Sequence, residues 1–191
     1  MKIDLHVHSK YSTRPSQWVL QKFGAPESFV EPTFVYKRAK ELGMTHVTIS
    51  DHNVIDGALE IAHLPNAFIS EEVTAYFPDE QCKIHVLTWN INEAIHRDLQ
   101  ALRKNIYDLA GYIRENNIHH AVAHPLYAVN DKLTIEHVEQ LMLLFKTYEI
   151  NGTRDGLQNN HLKALLALLT PELIDTLADK HDLKPLYDEP W

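Results

Sequence analysis

The sequence predicts an α/β protein, a single barrel-like domain of repeating βα units over residues 1–191. Three observations predict it. Short β-branched runs alternate with helix-period segments, imidazoles and carboxylates recur where those runs end, and no linker, low-complexity tract or internal repeat breaks the series. The hydrophobic share of 45% in 191 residues is enough for one sizeable core.

The first element is Ile3 to Ser9, read as a strand. Its period of two puts His6 and His8 on one face and Leu5 and Val7 on the other. Lys10 to Pro32 has no clean period and scattered Pro15, Gly24, Pro26 and Pro32, so it reads as a lid or binding wall, with an inserted surface loop as the alternative. Trp18, Phe23 and Phe29 are expected to pin it to the body. Thr33 to Leu42 reads as a helix stopped by Gly43. The β-branched run Thr45 to Ser50 follows and ends in Asp51-His52-Asn53, where a buried parallel strand would emerge.

A short helix from Asp56 to His63 leads to a strand from Ala67 to Tyr76 that carries Glu71 and Glu72 among apolar residues. The strand Lys83 to Trp89 carries His85. Asn92 to Asn117 reads as the longest helix, with Ile95, Leu99, Leu102, Ile106, Leu109 and Ile113 on its core face. The strand after His119 and His120 ends at His124, because Pro125 cannot continue a central strand. Thr134 starts a helix through Phe145, and a short strand spans Thr147 to Gly152. Two helices follow, Asn160 to Leu169 and Pro171 to His181, the second with Thr170 as its cap.

Composition excludes several partners. With 26 acidic against 18 basic side chains the formal charge is −8, which opposes binding to nucleic acid phosphates or an anionic membrane. Cys82 is the one cysteine, so no intrachain disulfide forms. No apolar run approaches the roughly 18 residues of a membrane span, and the chain enters its first strand without a leader, so a cytoplasmic location is expected. The 13 histidines are the clear excess, and His63, His96, His137 and His161 are expected to be solvated on helix surfaces.

At the strand exits stand His6, His8, His52, Glu72, His85 and His124, with Asp51 and Glu71 beside them. Imidazole with carboxylate suits zinc, manganese or iron rather than calcium or magnesium. Six candidates exceed the three or four protein ligands of one ion, so two or more ions are expected.

These motifs together, Asp4-Leu5-His6-Val7-His8-Ser9, Ser50-Asp51-His52-Asn53, Glu71-Glu72, Ile84-His85-Val86-Leu87 and Ala123-His124-Pro125, resemble the polymerase and histidinol phosphatase (PHP) family, in the right order along the whole chain. The resemblance implies a distorted (β/α)₇ TIM-like barrel with two or three metals at the C-terminal face of its strands, and phosphoester hydrolysis. By position it implies His6 and His8 on one metal, Glu72 bridging to a second (Glu71 the fallback), His85 and His124 on that second ion, and His52 on a third, with Asp51 orienting it.

Two departures from the family pattern stand out. Lys10-Tyr11-Ser12-Thr13 lacks the Asp or His that relatives carry there for the third metal, and the closing Gly-Ser-Asp-x-His turn is absent. Asp179-Lys180-His181 does not replace it, since residues two apart on a helix point about 200° from each other. The chain is therefore expected to be incomplete at its C-terminus, one strand short, with a continuation beyond Trp191.

The expected function is a metal-dependent hydrolase that cleaves a small phosphorylated substrate with metal-activated hydroxide. Asp51, His52 and Glu72 are its catalytic candidates, and Arg14 and Arg154 its candidate phosphate partners. Two alternatives stand beside it: a PHP-type module with a structural or regulatory role, and a metal-dependent amidohydrolase.

Overall fold

The computed structural model describes residues 1–13, 22–23, 27–152 and 156–187. Its helices are α1 (Pro32–Glu41), α2 (Asp56–Ile61), α3 (Glu93–Leu102), α4 (Ile106–Glu115), α5 (Ile135–Leu144), α6 (Gly156–Ala167) and α7 (Pro171–His181). Its strands are β1 (Ser70–Tyr76), β2 (Lys83–Trp89) and β3 (His119–Val122), in one sheet of order β1-β2-β3. The chain is a mixed helix and sheet fold, as predicted; a closed barrel is not drawn by these three strands. Two compact units divide it, residues 1–74 with 87–101, and residues 75–86 with 102–191.

In the first unit the N-terminal stretch lies extended beside residues 45–50. The Thr45 N–H donates to the Lys2 carbonyl and the Ser50 N–H to the Val7 carbonyl, each at 2.8 Å. The Val7 N–H, however, goes to the Ser50 hydroxyl at 3.0 Å. A side chain thus interrupts the backbone ladder, and neither predicted strand is regular. Isolated parallel bridges, Val47 with Ala67 and His52 with Glu72, tie the second extended segment to the residues before and within β1. Val35 of α1 and Ala58 and Ile61 of α2 bury against Val47 and Ile49, and Val7 packs on this core. Full burial of each of the larger side chains contributes about 1.5–3 kcal/mol. Gly43 adopts φ +80° after α1, the left-handed turn that ends a helix and suits glycine.

β1 and β2 differ from the predicted βα repeat. Only residues 77–82 connect them, and a parallel crossover needs about a dozen residues or more. The pairing is a hairpin: the Phe77 N–H donates to the Cys82 carbonyl at 2.9 Å, the Thr88 hydroxyl to the Glu71 carbonyl at 3.4 Å, and the Ile91 N–H to the Ile69 carbonyl at 3.1 Å. His85 therefore lies inside a hairpin strand and not at a parallel exit.

The single long helix expected over 92–117 is two. Asn105, with extended backbone, caps α4 by accepting the Tyr107 N–H at 3.0 Å, and the Arg103 carbonyl is taken by the Tyr76 N–H at 3.0 Å. Apolar periodicity carries through a break of this kind because both halves still need a core face. α3 belongs to the first unit as far as Ala101, and α4 to the second.

In the second unit Leu109 and Ile113 of α4, Val122 of β3, and Leu141, Leu143 and Leu144 of α5 are buried, and α7 packs on α5. α6 starts at Gly156, ahead of its predicted start, and α7 begins as predicted, with the Thr170 hydroxyl accepting the Leu173 N–H at 3.2 Å. Three side-chain expectations are corrected. Phe23 and Phe29 are 84% and 77% exposed, so neither is buried as an anchor; Trp18 lies outside the described residues. His137 is buried, its Nδ1 accepting the Thr134 N–H at 3.1 Å and its ring 4.4 Å from that of Phe77. His96 is not simply solvated, since it holds Glu71 at 2.9 Å.

Candidate metal centre

The two adjacent carboxylates of β1 meet different neighbours. Because side chains alternate across a strand, Glu71 and Glu72 face opposite ways, and both are fully buried. Glu71 faces α3, where His96 Nδ1 lies 2.9 Å from one oxygen and Gln100 donates to the other at 2.7 Å. That carboxylate, hydrogen-bonded to the ring, raises the pKa of His96. Glu72 faces the N-terminal stretch.

There its Oε2 lies 3.1 Å from His6 Nε2, 3.2 Å from His8 Nε2 and 3.2 Å from His52 Nδ1, while the two Nε2 atoms are 3.2 Å apart. Three imidazole nitrogens thus crowd one buried carboxylate oxygen. Ligands held about 2.0–2.2 Å from a shared ion at cis or tetrahedral angles stand roughly 3.0–3.4 Å apart, so these separations fit a metal. His8, His52 and Glu72 offer one such set within the first unit. The donor chemistry, imidazole with carboxylate, is compatible with a divalent metal ion.

The surrounding bonds hold this set in place. Asp51 is buried and accepts the Ser9 N–H and Ser9 hydroxyl, both at 2.6 Å, and the Ser12 hydroxyl at 3.0 Å. Having given its proton to Asp51, the Ser12 oxygen can only accept, and it receives the His52 N–H at 3.1 Å and His8 Nδ1 at 3.0 Å. His8 Nδ1 must then carry hydrogen, so Nε2, which faces Glu72, is the nitrogen that bears the lone pair whenever the ring is neutral. Asn53, in the left-handed region at φ 58°, donates its N–H to the Glu72 carbonyl at 3.0 Å and accepts the Thr74 N–H at 2.8 Å. Those two bonds fix the stretch of β1 that presents Glu72.

His52 also meets Glu27, whose Oε2 is 2.9 Å from Nε2. Burial pulls the pKa of His52 down, but Glu72 and Glu27 outweigh it and the net shift is upward. Burial pushes Glu27 up, and His52 and His8 overcome it, so that carboxyl sits below its usual range. A mostly apolar cavity of about 230 Å³ opens beside His8, between Val7, Val47 and α1 residues Phe34 and Arg38. This is smaller than the ~300–1,000 Å³ of typical ligand sites, and suits only a small group.

Of the predicted site residues, His6, His8, His52 and Glu72 come together in the first unit, with Asp51 in support rather than facing the cluster. His85 and His124 belong to the second unit, where the Ala123 N–H donates to the His85 carbonyl at 2.9 Å and their rings lie edge to face at 5.2 Å. His124 takes φ 69°, an uncommon conformation for a non-glycine residue, at the end of β3. Arg14 and Arg154 lie outside the described residues.

The fold resembles that of an amidohydrolase. The solved structure of that protein, from Chromobacterium violaceum, with bound sulfate and no metal, superposes with a TM-score of 0.58 over 96% of this chain and 84% of its own, at 16% identity. A protein of Bifidobacterium adolescentis, provisionally named a metal-dependent phosphoesterase, gives a TM-score of 0.48 at 15% identity over 96% of this chain and 85% of its own. In sequence, 73 residues are 45% identical to the uncharacterized protein MJ1587 of Methanocaldococcus jannaschii, 38% of this chain and 41% of that protein. The chain thus matches about two fifths of that relative's length. No family model matches the sequence.

Sequence reasoning missed Ser12, Glu27 and His96. Ser12 stood in a segment noted only for the ligands it lacks. Glu27 did leave a signal, since it is the only acidic residue between Lys10 and Val30 in a loop that follows a metal-type strand. His96 left none, because one histidine on a helix is unremarkable until its partner is known.

Proposed function

We propose that this protein is a metal-dependent hydrolase acting on phosphoesters, of the PHP kind, with zinc, manganese or iron as its two or three ions. The observation that carries the reading is the approach of three imidazole nitrogens to one oxygen of fully buried Glu72. A buried carboxylate among neutral rings is costly without a cation or protons to balance it. When bound, a divalent cation supplies Lewis acidity toward a phosphoryl oxygen and lowers the pKa of a coordinated water.

The chain's own residues do the rest. Glu72, His6, His8 and His52 hold the charge, and the Asp51–Ser12 pair keeps His8 in the tautomer whose Nε2 can bind. His85 and His124 are further proposed ligands as an imidazole pair in their own unit, and Arg14 and Arg154 the proposed phosphate partners. The lone cysteine, Cys82, buried and held protonated by a pKa pushed up to about 11, suits a reducing cytoplasm. Among the described residues no helix is long and apolar enough to cross a membrane.

Elemental analysis of the purified chain, with hydrolysis of an aryl phosphate before and after chelation, tests the reading. Bound transition metal and chelator-sensitive turnover are expected; full activity in excess chelator overturns it. The likeness to the Chromobacterium violaceum amidohydrolase favours a second reading, amide hydrolysis at the same centre, which turnover of anilides but not phosphates would select. Metal without turnover of either would select a structural or regulatory module.

A further inference from the structure

We propose that Glu27 is a metal ligand, its carboxylate joining His52 Nε2 to hold a divalent transition-metal cation on the outer side of the His8, His52 and Glu72 cluster. This rests on the metal-binding reading above and adds a residue to it. His52 spans two carboxylates, with Nδ1 3.2 Å from Glu72 Oε2 and Nε2 2.9 Å from Glu27 Oε2. A neutral imidazole has one N–H and one lone pair and donates to one of these carboxylates only, whereas a protonated ring donates to both as an ion pair. With Nδ1–H given to Glu72, so that His52 ligates through Nε2 alone, a divalent cation between that lone pair and Glu27 takes the place of the second proton. The 2.9 Å gap is close to the roughly 3.0 Å between cis ligands with bonds of about 2.1 Å, so the pair needs only a small movement to share an ion.

Placement supports the same assignment. The Glu27 N–H donates to the Ser12 carbonyl at 2.9 Å, while the Ser12 hydroxyl binds Asp51, the His52 N–H and His8. Glu27 is therefore anchored on the residue that already orients two of the imidazoles. Its side chain is only 22% exposed, unlike a typical surface glutamate. The segment Lys10 to Thr13 offers no imidazole or carboxylate, and Glu27, from farther along the same loop, is the acidic side chain placed 2.9 Å from His52 Nε2.

The test uses the full chain with Mn²⁺ or Zn²⁺ alone, comparing wild type with Glu27→Gln, which keeps size and hydrogen bonding but ligates poorly. Calorimetric titration of the metal-free proteins should show one ion per chain weakened by at least about tenfold or lost in the variant, with the remaining ions unchanged. Glu27→Asp should recover part of that affinity if its fold is intact by circular dichroism. Anomalous diffraction from a metal-soaked crystal should place an ion about 2.0–2.2 Å from Glu27 Oε2. Equal stoichiometry and affinity in wild type and Glu27→Gln overturns the proposal and leaves Glu27 as an ion-pair latch. A wild-type chain that binds no transition metal instead overturns the underlying reading.

Discussion

Gly57 in α2 spaces the support of the candidate centre, and replacing it with alanine should destabilise the protein although alanine is the better helix former. A Cβ there would fall inside contact distance of Asp51 Oδ2 and Ser9 Oγ and 3.2 Å from Ile49 Cγ2. The first two atoms are joined to each other at 2.6 Å, so the methyl group must push apart a buried, charged hydrogen bond. Overpacking costs about 1–3 kcal/mol and the lost charged hydrogen bond about 1.5–3, against at most about 1 recovered from helix propensity. The net is a loss of about 3 kcal/mol, or a Tm lower by roughly 6–12 °C for a chain of this size. Gly111 in α4 is the internal control, because a Cβ there meets nothing within 4 Å. Gly111→Ala should stabilise by about 0.5–1 kcal/mol. Both are read by urea and thermal denaturation of the metal-free chain. A Gly57→Ala protein as stable as wild type would refute the placement of Asp51 and Ser9 against α2.

Other perturbations separate the roles of the remaining residues. Glu72→Gln should abolish metal-induced stabilisation while leaving the metal-free Tm equal or higher, because it removes a buried charge; differential scanning fluorimetry with and without Zn²⁺ checks this. Ser12→Ala withdraws the acceptor from His8 Nδ1 and the His52 N–H, and should weaken metal binding about 10- to 100-fold by competition with a chromophoric chelator. In the second unit burial, opposed by the bond to the Ile118 carbonyl, lowers the pKa of His120, so the unfolded chain takes that proton first. Stability should therefore fall as pH drops below the ordinary value of 6.5, and His120→Gln should flatten Tm against pH in that window. Burial raises Glu139 but Lys180 and His181, each 2.6 Å away, lower it overall. Its contribution should hold above the ordinary value of 4.5 and vanish as pH falls through the folded value, so Glu139→Gln should alter only that more acidic limb.

How much was legible varied by element. α1, with its Gly43 stop, and α7, with Thr170 and Pro171, carry their boundaries in local chemistry and read directly. The join between α3 and α4 did not, because one apolar stripe serves two consecutive helices and Asn105 signals a cap only once a turn has formed around it. The hairpin was hidden by the composition of Ala67 to Trp89, since buried strands have the same apolar runs in either direction. The six-residue spacing of 77–82 was the overlooked cue.

At the candidate centre the sequence alone determined donor type and local side: a His-x-His run puts two imidazoles on one face by backbone geometry, and the mix of nitrogen and carboxylate oxygen selects the class of ion. Only the tertiary structure decided which of Glu71 and Glu72 faces those imidazoles, that Asp51 is consumed by Ser9 and Ser12, and that Glu27 reaches His52. Alternation along a strand is a local property that sequence preserves. Which face a neighbouring segment covers depends on contacts such as His96 with Glu71, 25 residues apart, and His6 with Glu72, 66 apart, which form only when distant parts of the chain bury one another.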